Sequence, residues 1–153
     1  MNTIIVVIAQ YCIGLSALIV LWAWFALPHK DRLKLLADMI VAGILALLIS
    51  KLAAHFYFDP RPFTINHQIP LFAHAPDNGF PSDHTTLSML VALAIVPFSR
   101  KAGGILIIIS LLIGLARVLS LVHSPIDIAG SIVIAALSVY VARIIVRSVY
   151  KVH

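Results

Sequence analysis

The sequence predicts an all-α fold of the membrane class, a polytopic bundle of about five transmembrane helices, and three observations predict it. Of 153 residues, 61% are hydrophobic and only 11% are charged, against about 45–50% apolar and roughly 25% charged in a soluble domain. Mean hydropathy is +1.06. Charge-poor runs of spanning length alternate with polar breaks, a span needing about 20 mainly apolar residues at ~1.5 Å rise each. A water-soluble globule, a disordered chain and a repeat array are excluded. The one cysteine, Cys12, gives neither a disulfide framework nor a cysteine-based metal site.

The first span is read from Thr3 to Leu27, free of charge and ending in the Trp22/Trp24/Phe25 cluster that suits a membrane interface. It is too long for a cleavable signal peptide, whose apolar region is about 7–15 residues. The second runs from Leu33 to Phe58, with Asp38 near one end and Lys51 near the other. The third, Ser82 to Phe98, is short and carries Pro97 close to its end. The fourth, Ala102 to Val122, is interrupted only by Arg117, and the fifth, Ser124 to Val146, carries an Arg143 placed to snorkel. Pro28 to Arg32 and Ser99 to Lys101 are turns. Asp59 to Pro81 is a long polar loop, where function is expected. No composition shift marks a second domain, so residues 1–153 are read as one integral membrane domain.

The formal charge of +5 would suit a nucleic acid, but its distribution argues against that partner. With five crossings, one face collects Lys30, Arg32, Lys34, Arg100, Lys101, Arg143, Arg147 and Lys151, leaving Lys51, Arg61 and Arg117 on the other. Basic residues concentrate on the cytoplasmic side. The N-terminus and the long loop are therefore expected outside, and the C-terminus in the cytoplasm.

The three outer cations carry the functional signal, because ionisable groups at membrane depth are costly and mark sites. Near them fall Pro81-Ser82-Asp83-His84 at the start of the third span and His123-Ser124-Pro125-Ile126-Asp127 at the start of the fifth. Guanidinium and ammonium groups match phosphate oxygens and the charge that spreads over them in phosphoryl transfer. Ser82 and Ser124 read as helix N-caps, whose free N–H groups and positive dipole ends favour an anion. His84 and His123 are available as nucleophile and general acid or base, with Asp127 four residues after His123 to orient its ring. No cluster resembles a metal site. The chain has no Glu, and its six Asp residues are scattered.

The order Arg61-Pro62, Pro81-Ser82-Asp83-His84, then Arg117, His123 and Asp127 resembles the three signature motifs of the type 2 phosphatidic acid phosphatase superfamily. Asp59-Pro60-Arg61-Pro62-Phe63 and Phe80-Pro81-Ser82-Asp83-His84-Thr85-Thr86 are most similar to the undecaprenyl-diphosphate phosphatases of the bacitracin-resistance type. The resemblance covers roughly residues 50–130. It implies His123 as the nucleophile, Asp127 holding its tautomer and His84 protonating the leaving oxygen. Arg61, Arg117, Ser82 and Lys51 would bind phosphate, with Asp83 beside them. It implies no cofactor or metal, a polyprenyl diphosphate as substrate among the membrane lipids, and a bacterial cell membrane as location.

Departures from the family pattern are four. Its lysine position is Ala54 here, with Lys51 about one turn earlier. Asp83 replaces a usual Gly, a change shared by the undecaprenyl-diphosphate group, and Ala116 stands where Ser usually opens the third motif. Five spans are counted where relatives commonly have six.

Other readings stand beside these. Ser124 and Asp127 also fit a capping box. Lys51 also suits snorkelling to headgroups, and Asp83 suits either a helix cap or proton transfer. His55, His67 and His74 read as loop or interface residues, and Asp77 and Asn78 as turn residues before Gly79. Competing functions are a phosphatase of phosphatidate, phosphatidylglycerol phosphate or lipid A, and a non-enzymatic bacitracin-resistance membrane protein. Oligomeric state is not legible.

Overall fold

The computed structural model describes residues 2–150, so Lys151 lies outside the described residues. Six helices follow one another: α1 (Asn2–Ala26), α2 (His29–Phe56), the short α3 (Pro62–Ile65), α4 (Asp83–Ile95), α5 (Arg100–Leu119) and α6 (Pro125–Tyr150). There is no strand among the described residues, only an isolated bridge between Pro60 and Asn78. Helices α1, α2, α5 and α6 are long and apolar enough to cross a membrane.

Helix α4 is the short member. Its 13 residues reach only about 20 Å at ~1.5 Å each, less than the ~30 Å hydrocarbon core. It nonetheless runs between the same two ends as α2. Its first turn shares a cavity with Ser50 and Lys51 near the end of α2, and Pro97 and Phe98 beyond its last turn share another with Asp31, Lys34 and Asp38 near the start of α2. The expected span to Phe98 stops at Ile95 because Pro97 has no N–H to continue the helical ladder. The carbonyl of Leu93, which would have accepted that N–H, receives Arg143 Nη2 from α6 instead.

The helices pack through small residues. Ala42 and Ala46 of α2, Ala92 and Ala94 of α4, Ala102 of α5, and Ala135 and Ala142 of α6 are all buried, which lets backbones approach where lipid supplies no hydrophobic drive between helices. A Cβ on Gly103 would lie 2.5 Å from Val96 Cγ2. Within this interior Ser88 and Ser110 join α4 to α5 by a hydroxyl pair at 2.8 Å. Large side chains such as Trp22, Ile44, Phe56, Ile108 and Tyr140 are exposed, an outward apolar surface suited to acyl chains.

The first hairpin turns at Pro28. Arg32 donates from Nε to Leu27 O at 2.7 Å and from Nη2 to Phe25 O at 2.6 Å, while Trp24 Nε1 donates to Arg32 O. This arginine caps the last carbonyls of α1. Ser99 begins α5 as an N-cap, accepting from Ala102 N. The 1–2 hairpin, the 4–5 turn and the end of α6 thus gather at one end of the bundle, and the long loop with the starts of α4 and α6 at the other.

Candidate active site

The long loop is anchored to the end of α2 by one side chain. Asn78 Nδ2 donates to Tyr57 O at 2.9 Å and Ala54 O at 3.2 Å, while its Oδ1 accepts from Asp59 N and Phe80 N. Gly79 N donates to Asp59 O at 2.8 Å. Only glycine fits there, because a Cβ would lie 2.8 Å from Asp127 Oδ2 and 3.1 Å from Asp59 O. The pairing of 59–61 with 77–79 directs Arg61 inward.

Arg61 is buried and oriented by three of its five N–H donors. Nε donates to Asp77 Oδ1 at 2.7 Å, Nη1 to Val122 O at 2.6 Å and Nη2 to Asn78 O at 3.3 Å. Burial raises the Asp77 carboxyl, but the hydrogen bond and charge of Arg61 outweigh it and hold the group below its ordinary range.

The end of α5 brings the second arginine. The helix expected to reach Val122 stops at Leu119, because Leu121 turns left-handed at φ 63°. Leu121 N then bonds Val118 O, and Val122 N bonds Arg117 O, the two-bond pattern of a Schellman ending with leucine where glycine is usual. Arg117, expected about a turn and a half from the helix end, therefore lies in the last turn, buried, with Nη2 toward the loop. Phe72 packs under its guanidinium at 5.4 Å.

His123 follows directly and is 2% exposed. Its Nδ1 lies 2.9 Å from Gly79 O and 3.1 Å from Asp127 Oδ2, both acceptors. Its Nε2 lies 3.4 Å from Arg61 Nη1 and 3.3 Å from Arg117 Nη2, both donors. A guanidinium only donates. The proton therefore belongs on Nδ1 and the lone pair on Nε2, facing both arginines. Burial lowers the His123 pKa; the Asp127 hydrogen bond opposes this, and the charges of Arg117 and Arg61 reinforce it.

Asp127 meets both sequence readings at once. Its Oδ2 accepts from Ser124 N at 2.8 Å, its own N–H reaches Ser124 Oγ at 3.4 Å, and the same Oδ2 faces His123. The capping box that starts α6 is also the support of the imidazole. Ser124 Oγ donates to Asp59, closing the ring of contacts onto the loop.

Arg61, Arg117 and His123 line a cavity of about 400 Å³ with Lys51, His74, Asp83 and His84, and Asp127 stands behind His123. His84 is half-buried in the first turn of α4. Lys51 and Asp83 are exposed at the rim. Ser82, like Asp127, is an expected site residue that stands off the wall. It is fully buried, its N–H donates to Ser131 Oγ at 2.8 Å, and its hydroxyl accepts from Thr85 Oγ1, so it braces α4 against α6. It occupies the N-cap position of α4 but makes no side-chain capping bond.

His74, Asp77 and Asn78, read as loop and turn residues, belong to the site. His74 Nε2 lies 3.2 Å from Arg117 Nη2; burial first and then Arg61 hold its pKa below the ordinary imidazole value. The only sequence signal for them was the polar loop itself. Among the described residues no three His, Cys, Asp or Glu side chains gather in a metal-ligating group.

An apolar groove of about 360 Å³ adjoins the cavity, sharing Leu47, Ser50 and Asp83 and continuing between α2 and α4 past Gly43, Ala46, Leu87 and Leu90. A charged pocket thus opens onto an oily channel at the bundle's flank.

Comparison with known proteins agrees with this architecture. The profile of the PAP2 superfamily matches residues 33–151. The chain is 38% identical over 135 residues to undecaprenyl-diphosphatase BcrC of Bacillus subtilis (strain 168), covering 88% of this chain and 69% of that protein. It is 29% identical over 139 residues to a protein of Bacillus licheniformis named bacitracin transport permease protein BcrC, covering 90% and 68%. It is 30% identical over 128 residues to YbjG of Escherichia coli (strain K12), covering 83% and 63%. With its buried histidine between two arginines in a bundle of apolar helices, the chain belongs to the PAP2 superfamily, the type 2 phosphatidic acid phosphatases, and is a multi-pass membrane phosphatase.

Proposed function

We propose that the chain hydrolyses the terminal phosphate of a polyprenyl diphosphate, undecaprenyl diphosphate above all, without a metal and through a phosphohistidine on His123, recycling the lipid carrier for cell-wall synthesis. The observation that carries this is the division of the His123 ring, with acceptors at Nδ1 and two guanidinium groups at Nε2. A terminal phosphate drawn to Arg61 and Arg117 meets the Nε2 lone pair. Nε2 attacks phosphorus, and the bond to the bridging oxygen breaks. His84 gives its proton to the departing monophosphate. Asp127 and Gly79 O stabilise the Nδ1 proton as the ring gains charge. Water then attacks the phosphohistidine, His84 takes its proton, the P–N bond breaks, and inorganic phosphate leaves. The arginines offset charge on the equatorial oxygens throughout. Lys51 at the rim suits the second phosphate.

The groove between α2 and α4 suits the first isoprene units, and the name of the Bacillus subtilis relative supports the diphosphate substrate. We read residues 1–153 as one membrane domain of a bacterial cell membrane, with the N-terminus and cavity outside, since seven of the ten Lys and Arg residues among the described residues lie toward the opposite face.

Purified protein in detergent with EDTA should release inorganic phosphate from undecaprenyl diphosphate faster than from phosphatidate, and His123→Ala should lose about a thousandfold or more of that release. Dependence on added metal, or full activity in His123→Ala, would sink the mechanism. Bacitracin resistance that persists in cells carrying His123→Ala would favour a transport role, as the name of the Bacillus licheniformis relative suggests.

A further inference from the structure

The end of the bundle away from the candidate active site carries its own charged cavity, of about 250 Å³. Helix α2 lines it with Asp31, Lys34 and Asp38, spaced by three and four residues and so on one face. Helix α6 adds Arg143 and Arg147, one turn apart, and Pro97 closes the side toward α4. The phosphatase chemistry uses none of these groups.

Two of them are unsatisfied in a way that describes a ligand. Asp38 is 3% exposed, and its Oδ1 has no hydrogen-bond partner. Arg143 spends Nη2 on the carbonyls of Leu93 and Ala94, which orients the guanidinium, yet its buried Nε also has no partner. Asp38 and Arg143 form no salt bridge with each other. A buried acceptor and a buried donor thus border one cavity without meeting, and each such group is costly if left unpaired. The occupant must offer a donor to the carboxylate and an acceptor to the guanidinium. Three cations against two carboxylates further ask for one net negative charge.

We propose that this cavity binds a phosphodiester carrying a free hydroxyl, the headgroup chemistry of an anionic glycerophospholipid such as phosphatidylglycerol. The phosphate accepts from Arg143 and lies among Lys34 and Arg147, and the glycerol hydroxyl donates to Asp38. The position suits a lipid headgroup, since Asp38 lies about 13 Å along α2 from its first residue at ~1.5 Å per residue, within reach of an interface where basic pockets between helices hold anionic lipids.

The test uses delipidated full-length protein in neutral detergent, with native mass spectrometry counting retained lipid. Parent protein should retain phosphatidylglycerol over phosphatidylcholine by about tenfold or more, and Lys34→Gln/Arg147→Gln should lose that preference. Both changes lie away from the candidate active site, so phosphate release in lipid-free detergent should be unchanged. If the double variant does not fold, Arg147→Gln alone, at an exposed position, should show a partial loss. Soluble glycerol 3-phosphate provides a second arm. A rise in the melting temperature of the parent but not the variant assigns recognition to the free phosphate ester as well; retention of the lipid alone assigns it to the bilayer. Equal retention of the two lipids, or equal phosphatidylglycerol retention by parent and variant, overturns the proposal.

Discussion

Each end of the bundle sets arginine beside carboxylate, Arg61 by Asp77 and Arg143 near Asp38, and the two ends enclose them differently. At the site end, Arg61 has a partner for Nε, Nη1 and Nη2, and the ring of His123 has a partner at both nitrogens. The long loop supplies most of those partners, through Asp77, Asn78 and Gly79. Both ends leave buried atoms unpartnered, Arg117 Nε and Asp127 Oδ1 at the site and Asp38 Oδ1 and Arg143 Nε opposite, but the opposite end has no loop of that length to fix its arginines, only helix faces and turns. Helix faces can bring charges together, but they cannot wrap them. A loop that folds back over the helix ends converts two cations and a histidine into groups of fixed direction, which is what electrostatic preorganisation requires.

This contrast can be broken by mutation. The largest effect is expected for His123→Ala, a loss of about a thousandfold or more in phosphate release, measured with undecaprenyl diphosphate while insertion and helicity are retained. Asp127→Asn should cost about a hundredfold and should also move the acid limb of kcat/KM. The limb reports neutral His123 and lies below the ordinary value of about 6.5, so activity is lost as pH falls through it. Removing the one contact that raises the ring's pKa moves the limb to still lower pH; a limb that moves upward would contradict the assignment.

Gly79→Ala should cost about tenfold through displacement of the Asp127 carboxylate, since the added Cβ would meet it at 2.8 Å. Asp77→Ala frees Arg61 Nε but leaves its Nη contacts, and its carboxylate is 62% exposed. A few-fold rise in KM with little change in kcat is expected, because exposed pairs contribute little. The smallest effect on activity is expected at the other end. Arg143→Met should leave kcat unchanged yet lower stability by about 1–3 kcal/mol, because the Leu93 carbonyl loses its donor. Melting in detergent measures it, and a catalytic defect there would show that the two ends are coupled.

Four of the five expected spans are helices long enough to cross, legible because lipid imposes a composition on a helix that water does not, while the third, expected from Ser82 to Phe98, is the 13-residue α4. Their ends were read within a few residues except where the backbone ended them early. Pro97 was visible and its consequence was not, since only α6 shows where the freed carbonyl finds Arg143. Leu121 gave no warning at all, as leucine is not a residue from which a left-handed turn is expected. Arg61, Arg117, His123 and Asp127 could be picked out because each is costly at membrane depth and their order is distinctive. Asp77, Asn78 and His74 could not, because polar residues are ordinary in a loop and their meaning lies in what the loop touches. Ser82 shows the reverse case, a motif residue whose hydroxyl faces Thr85 rather than the cavity.

By itself the sequence determined that the chain lives in a bilayer, that its helices alternate in direction, and that Arg61 and Arg117 fall at the same end as His84 and His123. Those properties follow from solvation, which acts on each residue wherever its neighbours are. Only the tertiary structure decided which nitrogen of His123 faces the arginines, which serine stands behind the wall, and which buried groups at the far end go without partners. Those depend on directions across contacts tens of residues apart in the chain, such as His123 with Gly79 and Arg143 with Leu93, and hydrogen bonding is directional where burial is not.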